Sequence, residues 1–175
     1  MTAEDLLQLA HQGARLELVR GSLVAREPAG FRHGATAMRL ALHLGNFVSD
    51  HQLGVVVAVE TGFTVSRNPD TVRAPDVAFI ARARIPYPEP RGFAELAPDL
   101  VVEITSPDDR PAAVAGKVGN WLQAGSRLVW VIDPQRREAR VHRADGSATT
   151  VTENEVLDGE DVLPGLRISL GDVLG

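Results

Sequence analysis

Apolar and polar residues recur along this chain with two periods, and each change of period predicts an element. Ala3 to Gln12 carries the pattern of a short helix. Arg15 to Arg20 and Leu23 to Glu27 alternate residue by residue, which predicts a hairpin around Gly21-Ser22, ended by Pro28-Ala29-Gly30. From about Arg32 to His51 the apolar positions are Ala37, Leu40, Ala41, Leu44, Phe47 and Val48, the stripe of an amphipathic helix.

Strands dominate the next stretch. Gly54 to Glu60 is nearly all valine and alanine, which predicts a central strand covered on both faces. Thr61 to Ser66 continues it or pairs with it, Asn68-Pro69-Asp70 is a turn, and Asp76 to Ala81 is a further apolar strand. Pro86, Pro88 and Pro90 make Ile85 to Ala97 mostly loop, and Asp99 to Thr105 returns to strand. Pro111 would clash inside a helix begun at Ser106, so residues 106–109 are read as a turn and the helix starts near Pro111. It runs to about Ala124, where Gly125 supplies a left-handed cap. Val114, Val118, Trp121 and Leu122 form its buried stripe, with Lys117 on the flank, one turn from Trp121. Leu128 to Asp133 is a buried strand, Glu138 to His142 and Ala148 to Thr152 an outer hairpin around Asp145-Gly146, and Leu163 to Leu170 an edge strand. This order predicts an α/β fold, a mixed central β-sheet flanked by helices, in one domain over residues 1–175.

Composition narrows the setting. No apolar run approaches the roughly 20 residues that span a bilayer, and the N-terminus is acidic where a secretory leader would be basic. The absence of cysteine excludes disulfides and thiolate metal sites and fits a reducing cytoplasm. A net charge of −5 argues mildly against a nucleic-acid partner, although the charge is uneven. Glu153, Glu155, Asp158, Glu160 and Asp161 cluster near the C-terminus, just after Arg136, Arg137, Arg140 and Arg143. Of 18 basic residues only Lys117 is lysine, which marks a place where a compact ammonium serves and a planar guanidinium does not, unless its position is chance.

Common catalytic signatures are absent: no G-x-S-x-G elbow, no phosphate loop ending in Gly-Lys-Ser/Thr and no H-E-x-x-H pair. What remains is acids in apolar strands. Asp76 follows Ala74-Pro75 and leads into Val-Ala-Phe-Ile, and Glu103 lies within Leu-Val-Val-Glu-Ile-Thr. Burying such an acid is costly unless it is paired or metal-bound. The plainer readings are a turn residue for Asp76 and, for Glu103, a solvated strand face shared with Val101 and Thr105. Two carboxylates on neighbouring strand ends, with the backbone carbonyl of Ile104, form an oxygen donor set suited to a hard divalent cation. A nearby lysine would help neutralise a phosphoryl transition state.

Ala-Pro-Asp76-Val-Ala-Phe-Ile, Pro-Asp-Leu-Val-Val-Glu103-Ile-Thr-Ser-Pro, and Lys117 followed by Trp-Leu-Gln-Ala-Gly-Ser-Arg-Leu-Val-Trp-Val-Ile-Asp-Pro occur in this order. In these motifs the chain resembles the Uma-type restriction endonuclease family of the PD-(D/E)XK nuclease superfamily, from Arg32-His33-Gly34 to Leu163-Pro164-Gly165. The resemblance implies a restriction-endonuclease-like core and a Mg²⁺- or Mn²⁺-dependent endonuclease acting on DNA, often as a homodimer. It implies Asp76, Glu103 and Lys117 as catalytic residues, with Asp76, Glu103 and the Ile104 carbonyl holding the metal. Two residues beyond Glu103, where the superfamily usually has its lysine, stands Thr105, and Lys117 matches the position shifted to the following helix. Glu60 matches a further acidic position, a metal or supporting residue, and His33 a recurrent one near the helix start. The chain departs from similar sequences at Ala113, where an acid often precedes the lysine by one turn; the neighbouring Asp109-Arg110 is a candidate substitute. An alternative is therefore an impaired nuclease-fold module that binds nucleic acid or a protein partner.

Ser106, before Pro and two Asp, reads as a turn former rather than a nucleophile. Trp121 and Trp130 read as core, and the arginines between 136 and 143 as a solvated face.

Overall fold

Two helices on opposite faces of a six-stranded sheet organise the chain, in a computed structural model that describes residues 1–10, 16–25, 28–58 and 60–175. After helix α1 (Ala3–Ala10) come β1 (Leu16–Val19), β2 (Ser22–Ala25) and the long α2 (Phe31–Asp50). Strands β3 (Gly54–Ala58), β4 (Phe63–Ser66), β5 (Thr71–Arg73), β6 (Val77–Ala81) and β7 (Leu100–Ile104) follow. Helix α3 (Pro111–Ala124) crosses to β8 (Leu128–Asp133), and the chain closes with β9 (Glu138–Arg143), β10 (Ala148–Thr152), β11 (Val156–Asp158), β12 (Arg167–Ser169) and α4 (Leu170–Leu174).

The large sheet has the order β10-β9-β8-β7-β6-β3, antiparallel except for the β7–β8 pair that α3 connects. Alternation along β7 and β8 divides the core. Leu100, Val102, Ile104, Leu128, Trp130 and Ile132 face the buried stripe of α2, Leu40, Leu44 and Val48, with α4 closing that side. Val101, Val129 and Val131 face Val118 and Trp121 of α3. Because both faces are covered, every residue of β7 is buried, including Glu103. A second sheet, β2-β1-β5-β4, lies on the α3 side, where Phe63 of β4 meets Trp121 edge-on at 6.2 Å between ring centroids.

Most predicted elements are present, including the hairpin turning at Arg20-Gly21, the helix starting at Pro111 and the Gly125 cap at φ 107°. Three placements differ. The valine-rich β3 is an edge strand and only half buried, because β6 alone pairs with it. Residues 63–66 neither continue nor pair with β3; they join β5 in the second sheet. Of the predicted 163–170 strand only Arg167–Ser169 forms, paired with β11, while Leu163 and Leu166 pack into the core and α4 begins at Leu170. The ends of the predicted α1 (His11, Gln12), the outer hairpin ends (Arg15, Arg26, Glu27) and Val59 lie outside the described residues. Among the described residues no helix is long and apolar enough to cross a membrane.

A buried ion pair fastens the second sheet to α3. Alternation along Leu16-Glu17-Leu18-Val19 turns Glu17 away from Leu18, and its side chain is only 2% exposed. There Arg73 Nη1 donates to Glu17 Oε2 at 2.8 Å and the Ala74 amide to Oε1 at 3.3 Å. Arg73 also donates through Nε and Nη2 to Asn120 Oδ1 of α3, at 3.1 and 2.7 Å. Removing one partner of such a pair strands a buried charge, whereas removing both does not. Arg73→Met should therefore lose about 3–5 kcal/mol in urea unfolding, and Glu17→Leu/Arg73→Met should lose less than Arg73→Met alone. A double variant at least as unstable as the single one would contradict this account.

Candidate active site

The site forms where β6 starts, β7 ends and α3 passes over the sheet. The register Val77↔Val102 sets the residue before Val77 beside the residue after Val102, so Asp76 and Glu103 project from neighbouring strands on the α3 face. The Asp76 amide donates to Val102 O at 3.1 Å and the Ile104 amide donates back to Asp76 Oδ2 at 2.7 Å, which extends the ladder by one side chain. His33, in the first turn of α2, brings Nε2 to 3.3 Å from the same oxygen. Asp76 Oδ1 accepts no hydrogen bond from the described residues.

Glu103 is buried, and both its oxygens are engaged. Lys117 Nζ donates to Oε2 at 2.9 Å and Trp121 Nε1 to Oε1 at 2.8 Å. Lys117 and Trp121 are four residues apart and so share one flank of α3. The plain reading of Glu103 as a solvated strand residue fails because α3 covers that face. Burial is the largest influence on its carboxyl and pushes its pKa up; Lys117 pulls it down, and the nearby Asp76 charge pushes it up again.

Asp76, Glu103 and Lys117 are thus brought together, as is Ile104. A strand residue turns its amide and carbonyl to the same side, so the Ile104 carbonyl opens toward the edge where its amide meets Asp76. Glu60 follows β3 in a left-handed conformation, φ 67°, and is exposed. Among the described residues no group of three or more histidine or carboxylate side chains is arranged to hold a metal ion. The donor set that does converge, two carboxylates and a carbonyl, consists of hard oxygens and fits a magnesium-type ion.

Two features were not legible as site components in the sequence. Trp121 reads as core, yet its indole is also the second donor to Glu103; its four-residue spacing from Lys117 is the one signal. The Glu17–Arg73–Asn120 network, three residues from both Asp76 and Lys117, has no signal beyond that proximity. Ala113 is exposed, and Lys117 is held by Glu103, with no ion pair to Asp109 among the described residues. Asp109 Oδ2 instead accepts from the Ser106 amide at 2.8 Å and closes the turn before α3, so Ser106 is a turn residue. Two of the four hairpin arginines, and Arg127 just before β8, pair with the acidic segment that follows them. Arg137 pairs with Glu153, Arg143 with Glu160 and Arg127 with Asp161.

The Lys117–Glu103 contact has a measurable consequence. A carboxyl whose pKa is raised on folding adds stability that is complete below its ordinary value, about 4.5, and is lost as pH rises through the raised value. Lys117→Met removes the charge that limits this rise. In EDTA its denaturant midpoint should fall progressively relative to the original protein as pH rises above the ordinary carboxyl value. Parallel pH profiles would rule out the coupling.

Comparisons with known proteins bear on the fold and the family. The chain superposes on the crystal structure of a "putative nuclease belonging to DUF820" from Anabaena variabilis ATCC 29413 with a TM-score of 0.87 and 21% identity, covering 99% of this chain and 97% of that one. At that identity the likeness establishes the fold. No curated protein matches the chain. The model of the Uma2 family, described as "Putative restriction endonuclease", matches residues 3–171, so the chain belongs to that family.

Proposed function

We propose that the chain is a metal-dependent endonuclease that hydrolyses DNA phosphodiester bonds. The observation that carries this reading is the convergence of Asp76, Glu103 and the only lysine, with Lys117 Nζ 2.9 Å from Glu103 Oε2. Asp76, Glu103 and the Ile104 carbonyl are the proposed holders of Mg²⁺ or Mn²⁺, with Glu60 as a further candidate acid. When bound, such an ion lowers the pKa of a water and offsets phosphate charge. The residues supply the remainder. The Ile104 amide and His33 orient Asp76, Trp121 and Lys117 fix the rotamer of Glu103, and the Lys117 ammonium stabilises charge growing on the phosphate oxygens. Water oxygen bonds to phosphorus as the bond from phosphorus to the leaving sugar oxygen breaks. A homodimer, in which two sites meet two strands, and a cytoplasmic setting belong to the same proposal.

Purified protein should nick plasmid DNA in Mg²⁺ or Mn²⁺ and not in EDTA. Asp76→Ala should abolish nicking, and Lys117→Met should slow it by about 10²–10³; equal nicking by Asp76→Ala would sink the site assignment. Light scattering should give about twice the 18.8 kDa chain mass; a monomer at assay concentration would remove the dimer.

Ala113 motivates a second reading, a catalytically impaired module that binds nucleic acid or a protein. It predicts no cleavage together with salt-sensitive binding, and calorimetric titration with Mn²⁺ separates the two, since only the nuclease requires the ion to bind.

A further inference from the structure

Beside the site, between the β4–β5 turn and the C-terminal half of α3, lies an open pocket of about 350 Å³. We propose that it is a subsite for a backbone phosphate of the DNA strand being cut, next to the scissile one; this rests on the nuclease reading above. Its lining includes Arg20, Ser66, Thr71, Asn120 and Gln123, and none of its lining residues is acidic in a chain of net charge −5.

Two observations point to an anion, one at Asn120 and one at Arg20. Arginine carries only donors, so Asn120 must turn its oxygen to Arg73, which donates to it twice, at 3.1 and 2.7 Å. The Asn120 amide nitrogen is left with two protons and no acceptor among the described residues. Arg67, also in the lining, is spent on Glu4, Asp70 and Glu95. Arg20 makes no ion pair among the described residues, and its backbone is held by a hydrogen bond to Thr71 Oγ1 at 3.1 Å in a left-handed conformation, φ 48°.

The position suits a neighbouring phosphate. Lys117, Asn120 and Ala124 follow one another along one flank of α3, so the pocket extends from about 4.5 to about 10 Å beyond Lys117 along the helix axis. Nucleotides of one strand rise by about 3.4 Å, which places the pocketed phosphate about one to three nucleotides from the bond at Lys117.

The test is fluorescence anisotropy of a labelled short DNA duplex in EDTA, which reads binding without cleavage. Arg20→Asn removes the cation and keeps a residue that tolerates the left-handed backbone; Gln123→Glu adds a carboxylate to the acid-free lining. Each should weaken binding by roughly tenfold, and Arg20→Asn should reduce the salt slope by about 0.9. If both pocket variants bind like the original protein while that protein nicks plasmid in Mn²⁺, the subsite falls and the nuclease reading stands. If the original protein neither binds duplex nor nicks plasmid, both fall. Displacement of the duplex by millimolar inorganic phosphate at constant ionic strength would assign a free-anion site and overturn the strand subsite.

Discussion

An ionised carboxylate inside a sheet covered on both faces costs several kcal/mol unless its oxygens are engaged. Glu103 meets this constraint with one ammonium and one indole, both from α3. The crossover helix is therefore fixed in rotation as well as position: Val118 and Trp121 must face the sheet while Lys117 reaches over its edge. Asp76 depends on the same strand, because the Ile104 amide that holds it follows directly after Glu103. The candidate site and the packing of α3 are thus two descriptions of one set of contacts.

The Glu17–Arg73–Asn120 network repeats this arrangement one helical turn further along α3. Arg73 lies three residues before Asp76 and Asn120 three after Lys117, so a buried pair that joins the second sheet to α3 also bears on both halves of the site. Breaking it disturbs stability and site geometry together. The open polar pocket lies on the other side of Asn120, so that side chain divides the site's structural support from a surface able to meet solvent or a strand.

Charge in this chain misleads when read along the sequence. The basic run at 136–143 and the acidic run at 153–161 look like two surfaces, one for phosphates. Hairpin β9–β10 and the segment after it fold them against each other, so two of the four arginines of the basic run are paired with the acidic one. The net charge of −5 consequently says little about any one surface, and none of the residues lining the open pocket is acidic.

The sequence by itself determined the elements and the acids. The 3.6-residue stripe of α2, the valine-rich strands, the proline that delays α3 and the glycine that ends it are local physics, and they recur in the structure. The expectation that an acid in an apolar strand has a partner is local too, as is the oddity of a single lysine. Only the tertiary structure decided which faces are covered. Alternation along β7 shows that Glu103 lies opposite Val102, but not that α3 roofs its side; alternation along β1 cannot say that Arg73 meets Glu17 in the interior. Edge and centre were equally illegible, because β3 has the composition of a buried strand and only its neighbours show that it ends the sheet. The proximity of Asp76, Glu103 and Lys117 depends on strand register and a crossover spanning 28 residues between β7 and β8 partners, and long-range pairing of that kind leaves no periodicity in the chain.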